Sequence, residues 1–254
     1  MAVLPLAEIL LRGLFGIGIP GSIPFVQHLT LWVGFLGGAL AAREGRLLAL
    51  ATADMLPEGT WRRVAGIVAA AAGAAVAAAL CRGAIALVVT DREAGGEVAA
   101  GVPVWVAQLV LPVSLALVAL RLVRRAPGLA GRLVAGAAAL GGLALALEPA
   151  WLEGRAAWPG LVALAAAAAL GAPIFAILGG AAALLFMTEG VGPVAILIET
   201  YQLAVKPTLP SIPLFTLAGF LLAEGRAPER MLRCFRALVG WMPGGTAVVC
   251  AAVC

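Results

Sequence analysis

Long runs of apolar residues recur along this chain and constrain its fold more than any other feature. Residues 24–42, 64–89 and 102–123 contain at most one charged side chain each. Each run supplies about the 20 residues that a helix needs to cross the ~30 Å hydrocarbon core of a bilayer. Shorter runs occupy residues 3–19, 133–147 and 211–224. This pattern predicts an all-α, polytopic transmembrane protein with about seven or eight membrane segments.

The composition agrees with a membrane location. Apolar residues make up 63% of the chain, charged residues 12%, and the mean hydropathy is +1.08, whereas soluble proteins contain about 25% charged residues. Lys and Arg outnumber Asp and Glu by 17 to 13, but the arginines lie between apolar runs. They therefore indicate membrane topology rather than a nucleic-acid surface. We expect the lipid bilayer, and no nucleic acid, as a partner.

Side chains suited to catalysis or metal binding are sparse. His28 is the only histidine, and the four cysteines show no Cys-x-x-Cys spacing. A zinc site or a histidine-based triad would therefore have no spare histidine. Neither H-E-x-x-H nor G-x-S-x-G occurs. We expect a protein that is not an enzyme, with no catalytic residue and no metal site.

Arginines are concentrated in alternate connections between the apolar runs. The segments that follow the runs at 24–42 and 102–123 are rich in arginine. The segments that follow the runs at 3–19, 64–89 and 133–147 contain fewer arginines. The positive-inside rule then predicts a cytoplasmic N-terminus and cytoplasmic arginine-rich loops.

Residues 193–205 either cross the membrane or form a re-entrant or interfacial helix, and the sequence leaves both possibilities open.

Glycine and proline interrupt several apolar segments. Residues 159–187 are long enough to cross, and we expect Gly171 and Pro173 to bend this span, which should end on the cytoplasmic side. Pro210 and Pro213 lie before and within a later segment. Broken helices are tolerated at membrane depth where protein or a polar cavity satisfies their backbone, and secondary transporters build sites from them. Kinks needed only for packing explain each proline equally well.

Polar residues inside apolar segments are further candidates. Arg82 lies in the apolar run at 64–89, and Glu199 and Gln202 share one face of a short helix. Such residues are functional candidates in a membrane, although an ion pair or a snorkelling arginine explains each as well. The sequence identifies no substrate ligand.

An arginine-bearing amphipathic helix is expected to begin at Ala227 or Pro228. Pro228 and Glu229 suit the first turn of a helix. Arginines recur at helical spacing opposite an apolar face, and they are Arg226, Arg230, Arg233 and Arg236. Such a helix is expected to lie in the membrane interface as an arm, with its arginines toward anionic headgroups.

Two groups of segments resemble the TRAP (tripartite ATP-independent periplasmic) transporters. Residues 24–45 (PFVQHLTLWVGFLGGALAAREG) and 101–122 (GVPVWVAQLVLPVSLALVALRL) are similar to the small four-helix membrane subunit. Residues 170–186 (LGAPIFAILGGAAALLF), 212–225 (IPLFTLAGFLLAEG) and 238–245 (LVGWMPGG) are similar to the start of the large subunit. The chain thus resembles the arrangement in which both subunits are fused, with residues 133–147 as an extra linking helix.

The resemblance implies three regions: a small-subunit-like domain at 1–126, a linking helix and loop at 127–157, and an incomplete, C-terminally truncated large-subunit part at 158–254. It implies a multi-pass protein of a bacterial or archaeal cytoplasmic (inner) membrane. The implied function is import of organic acids, dicarboxylates or sugar acids, by symport with sodium as the coupling ion.

The resemblance also implies two partners. One is a periplasmic substrate-binding protein, and the other is the remaining large-subunit half, because the hairpins that hold sodium and substrate come later in this family. Most of the transport site is therefore expected outside this chain. The alternative is a membrane anchor or assembly subunit that transports nothing.

Overall fold

The computed structural model describes residues 3–19, 21–50, 59–99, 101–206, 208, 211–225, 230, 233–234 and 237. Two compact units are present, one formed by residues 19–207 and the other by residues 1–18 together with 208–254. The smaller unit contains helices α1 (Val3–Phe15) and α10 (Ser211–Glu224). Within α1, Arg12 and Glu8 form an ion pair at 2.9 Å across one helical turn.

The larger unit is built almost entirely of helices. In chain order they are α2 (Ser22–Glu44), α3 (Thr60–Ala94), α4 (Val104–Gln108), α5 (Val110–Arg125), α6 (Gly128–Leu147), α7 (Trp158–Ala169), α8 (Ile174–Thr188) and α9 (Val194–Ala204). A short antiparallel hairpin of β1 (Glu97–Ala99) and β2 (Val102–Pro103) connects α3 to α4. A 3-10 helix at Pro149–Trp151 follows α6.

In the part of the chain that the structure describes, four helical segments are long and apolar enough to cross a membrane: Ser22–Glu44, Thr60–Ala94, Val104–Arg125 and Gly128–Leu147. Large apolar side chains point outward from them, as on α6, where Leu133 is 67% and Leu140 is 68% exposed. Outward apolar side chains are what contact with lipid requires. The predicted all-α, polytopic transmembrane fold is therefore confirmed.

Two boundaries differ from the sequence prediction. Helix α3 extends beyond the apolar run at 64–89 to Ala94, and the hairpin follows. Helix α6 begins at Gly128, before the apolar run at 133–147, and so includes Arg132. In both places the helix extends beyond the apolar run, after it in α3 and before it in α6, because polar side chains at a helix end can remain solvated.

Helix α3, with 35 residues, is the central element of the larger unit. Helices α4 to α9 all pack against it, and α2 packs on α5 and α9. Small residues make this close packing possible, since Ala74, Ala77 and Ala84 are completely buried. A Cβ atom added at Gly83 would lie only 2.7 Å from the backbone oxygen of Pro193, just before α9.

Helices α7 and α8 form an antiparallel hairpin. Gly160 of α7 lies beside Leu184 of α8, and Leu164 lies beside Gly180. Beyond the open end of the hairpin, the Gly154 N–H donates to the Thr188 carbonyl at 3.0 Å. These pairs are spaced symmetrically about the break between the helices, so the chain reverses direction there.

This reversal corrects the prediction of one bent span over residues 159–187. Gly171 adopts a left-handed conformation with φ +86, and Pro173 is extended with ψ 139, so the break becomes a turn rather than a kink. The Ile174 N–H donates to the Leu48 carbonyl at 2.9 Å, which fixes the turn near the end of α2. Both ends of the segment therefore lie at the same end of the unit, and not on opposite sides.

Candidate functional site

Polar side chains from α2, α3, α4 and α9 meet at one end of the larger unit. The Nε2 atom of His28 lies 2.8 Å from the Tyr201 hydroxyl, and the Gln108 amide donates to Asp91 Oδ2 at 2.5 Å. The Tyr201 hydroxyl also interacts with the Gln108 side chain and with the charge of Asp91. We call these four residues the polar cluster.

The direction of the hydrogen bonds at His28 follows from its other partner. The Nδ1 atom lies 2.7 Å from the carbonyl oxygen of Pro24, one turn earlier in α2. A carbonyl can only accept, so Nδ1 carries the proton, and a neutral imidazole then accepts at Nε2. Tyr201 is therefore the donor in the bond that joins α9 to α2.

Burial makes these hydrogen bonds necessary. Gln108 is completely buried and His28 is 9% exposed, while Asp91 and Tyr201 are half-buried. A polar group moved from water into an apolar environment without a partner costs roughly 2–7 kcal/mol. Within the described residues, Gln108 Oε1 and the Ser114 hydroxyl on α5 are the buried side-chain oxygens that lack a partner.

Apolar residues surround the polar cluster on two sides. A buried layer that includes Leu31, Leu87, Leu111 and Leu197 packs against Tyr201. On another side of His28, an open apolar pocket of about 190 Å³ lies between α2, the β-hairpin and α4, with Trp32 in its wall. The Trp32 indole N–H donates to the Ala107 carbonyl at 2.8 Å, which ties α2 to α4 beside the pocket.

The polar residues predicted from the sequence do not join this cluster. Arg82 is half-buried in the middle of α3, and Glu199 and Gln202 are exposed on α9. Their proposed roles in transport stay predictions. The sequence prediction did not include Asp91 or Tyr201. The sequence feature that could have indicated Tyr201 is weak: it is the only tyrosine of the chain.

The other predicted residues lie elsewhere. Gly171 and Pro173 form the turn between α7 and α8, where Pro173 is buried. Pro213 lies in the first turn of α10, and Arg230 and Arg233 are helical and exposed. The remaining candidates, Pro210, Arg226 and Arg236, lie outside the described residues. In the described ranges, no three His, Cys, Asp or Glu side chains are grouped to hold a metal ion.

Charged side chains separate to the two ends of the larger unit. At one end the Arg125 guanidinium lies over Gly45, so the C-terminal ends of α2 and α5 are adjacent. Arginines at this end are Arg43, Arg46, Arg124 and Arg125. The other end, which holds the polar cluster and the β-hairpin, carries Asp91, Glu93 and Glu97. There the guanidinium of Arg92 lies 5.6 Å from the centre of the Trp105 ring.

Comparison with known proteins matches two parts of the chain to two components of one transporter family. Residues 1–131 match the DctQ component of the tripartite ATP-independent periplasmic transporters, and residues 161–254 match the DctM component. No curated protein and no solved structure matches the chain. His28, Asp91 and Gln108 fall in the DctQ match and Tyr201 in the DctM match. The chain therefore belongs to the tripartite ATP-independent periplasmic transporters, as a protein that joins a DctQ membrane component to a DctM membrane component.

Proposed function

We propose that this membrane component serves the sodium-coupled import of organic acids, either C4-dicarboxylates or sugar acids, delivered by a periplasmic substrate-binding protein. Membership of the transporter family supports transport and the membrane location. The family resemblance implies the more specific parts of this proposal, which are the substrate class, sodium as the coupling ion and the binding protein. Sodium and substrate binding would belong to the remaining large-subunit half, which is then a necessary partner.

One observation carries the proposal. Helices α8 and α9, from the DctM match, pack on α2 and α3, from the DctQ match, inside one compact unit. A small subunit that only anchored an independent protein would need no such shared core. The packing favours a fixed scaffold on which the large-subunit part of a transporter is assembled.

The charge separation supports an orientation for this scaffold. The arginine-bearing ends of α2 and α5 suit the cytoplasmic face by the positive-inside rule. The β-hairpin and the polar cluster then belong to the periplasmic face in a bacterial or archaeal inner membrane. A periplasmic binding protein would meet the chain at that face. The arginine segment at 226–236 would serve as an interfacial arm.

Uptake measurements test the proposal. This chain would be expressed together with the remaining large-subunit half and the binding protein in cells that lack organic-acid uptake. Radiolabelled succinate and glucuronate would represent the two substrate classes. We expect sodium-dependent accumulation of at least one of them, lost when potassium replaces sodium or when the binding protein is omitted.

The control is immunodetection of the protein in the membrane fraction. A correctly inserted protein that gives no sodium-dependent uptake of either acid class would contradict the proposal. That result would favour the alternative function of a membrane anchor or assembly subunit.

A further inference from the structure

A side-chain hydrogen bond between His28 and Tyr201 connects α2 to α9 across 173 residues of sequence. His28 lies in the DctQ match and Tyr201 in the DctM match. We propose that the polar cluster of His28, Tyr201, Gln108 and Asp91 is a latch that fixes the position of α9 on the DctQ helices. This role concerns assembly, so it holds whichever compound is transported.

Apolar packing alone gives α9 little positional preference. The helix has 11 residues, among which only Leu197 is buried. In a membrane the surrounding lipid is as apolar as leucine, so burying apolar side chains adds little to helix association. A hydrogen bond, in contrast, needs a donor–acceptor distance near 2.7–3.2 Å and weakens steeply when misaligned. Rotation of α9 by one residue, about 100°, would break the bond to His28.

Tyr201 is the polar residue of α9 placed to make this contact. The neighbouring Thr200 hydroxyl donates to the Ile196 carbonyl of its own helix at 2.7 Å. Gln202, on the other side, is exposed. The Tyr201 hydroxyl instead meets His28 of α2 and interacts with Gln108 of α4 and Asp91 of α3. One side chain of α9 is thereby hydrogen-bonded to α2 and lies near polar side chains of α3 and α4.

A second contact fixes the opposite end of α9. The absent side chain at Gly83 lets the Pro193 carbonyl and the Leu197 side chain approach α3 closely. Pro193 and Tyr201 are eight residues apart, which is about 12 Å along a helix. A steric contact at one end and a hydrogen bond at the other define both the position and the rotation of α9. Without the hydrogen bond, α9 could pivot about Gly83.

A thiol introduced at position 197 reports on this docking. Leu197 is 2% exposed, and its side chain approaches α3 at Gly83. Displacement of α9 should therefore expose a thiol placed there by Leu197→Cys. The full chain, with this substitution and with its four native cysteines replaced by serine, would be purified in detergent and treated with N-ethylmaleimide. The measured quantity is the rate at which the thiol at position 197 is modified, and this chain is the parent for the variants below.

Removal of the latch should raise this rate. A typical hydrogen bond contributes about 1 kcal/mol, so we expect roughly fivefold faster labelling for Tyr201→Phe. The matched controls are Thr200→Val and Gln202→Ala, which alter neighbouring side chains of α9 that do not reach the other half. Both controls should label at the parent rate.

Two substitutions of His28 separate the latch from a general packing role. His28→Asn can keep the bond from the Nδ1 position to Pro24 but is too short to reach Tyr201. His28→Gln can place an acceptor near the Nε2 position and should restore slow labelling. The double variant His28→Asn with Tyr201→Phe should label no faster than either single variant, because both remove the same bond.

Three results would overturn the proposal. These are an unchanged labelling rate in Tyr201→Phe, equal rates in His28→Asn and His28→Gln, or multiplied effects in the double variant. The His28 pair decides the question even if Tyr201→Phe does not fold. Labelling needs no substrate, so its outcome is separate from the uptake result.

Discussion

Polar side chains within the apolar helices differ in what they bind. Thr30, Thr90 and Thr200 each donate to the carbonyl one turn earlier in their own helix. Such a bond satisfies the hydroxyl without joining two helices. His28 and Trp32, in contrast, reach another helix. The few residues of this second kind carry the specificity of helix packing, since apolar contacts do not distinguish protein from lipid.

Ser114 should be dispensable for stability. Its hydroxyl is buried without a hydrogen-bond partner among the described residues, and a buried unsatisfied group costs about 1–3 kcal/mol. We expect Ser114→Ala to raise the melting temperature of the purified chain by about 2 °C or more. Thr30→Ala is the matched control, because it removes a satisfied hydroxyl and should not stabilise. A fall in melting temperature for Ser114→Ala would show that this hydroxyl has a partner.

Gly83 should not tolerate a side chain. A Cβ atom there would lie 2.7 Å from the Pro193 backbone oxygen, which cannot move without moving the start of α9. We expect Gly83→Ala to lower the free energy of unfolding by about 1–3 kcal/mol, as for other overpacked sites.

The matched control for Gly83 is Gly34→Ala on α2, where a Cβ would meet nothing within 4 Å. That substitution should be neutral or stabilising by up to about 1 kcal/mol. Thermal unfolding in detergent measures both variants. Equal melting temperatures for them would contradict the close contact between α3 and α9.

At the level of whole elements, residue patterns predict membrane-spanning helices better than they predict where the chain reverses direction. The runs at 24–42, 64–89 and 102–123 are identified by length alone. Helices cover the first two completely, and the third except for strand β2 at its start and Leu109 between α4 and α5. The segment at 159–187 is equally apolar, yet it folds back on itself at Gly171. Gly-Ala-Pro permits a kink or a turn. The choice depends on Leu48, over a hundred residues away, which accepts a bond from Ile174.

A cross-linking experiment distinguishes a hairpin from a single span. In the hairpin, cysteines at positions 160 and 184 face each other, whereas in one continuous helix they would be about 36 Å apart. We expect Gly160→Cys with Leu184→Cys to form a disulfide on oxidation with copper phenanthroline, in a chain without its native cysteines. Gly160→Cys with Leu178→Cys, an exposed position, is the control that should not cross-link. The reverse pattern would exclude the antiparallel pairing.

The polar cluster shows a similar limit at residue level. His28 and Gln108 stand out in the sequence because they interrupt apolar runs. Their partners Tyr201 and Asp91 lie at the ends of helices, where polar residues are ordinary. Nothing local in the sequence pairs His28 with Tyr201, because their contact depends on how α9 docks on α3. The family resemblance, by contrast, was visible in continuous motifs and was confirmed.

At the scale of the whole molecule, charge determines orientation. The arginines near the ends of α2 and α5 and the acidic residues near the β-hairpin lie at opposite ends of the larger unit. Positively charged loops are retained in the cytoplasm during insertion. The hairpin end, with the polar cluster, is therefore the end that we propose to face the periplasm.

Reporter fusions test this orientation. A fluorescent protein fused after Arg125, the last residue of α5, should fluoresce because that site is expected in the cytoplasm. Alkaline phosphatase fused after Glu97, the first residue of β1, should be active because that site is expected in the periplasm. Exchange of the two reporters is the control and should abolish both signals. Activity with the opposite pattern at both sites would reverse the orientation.

The length of α3 has a consequence for the membrane that contains it. Its 35 residues extend over about 52 Å, more than the 40–45 Å of a bilayer with its headgroups. An upright α3 would project into water, so tilting is the adjustment that keeps more of it in lipid. Because six helices, α4 to α9, pack on α3, they must tilt with it. The mismatch between the length of α3 and the thickness of the bilayer therefore tilts the whole bundle. The tilt angle of the bundle changes with bilayer thickness.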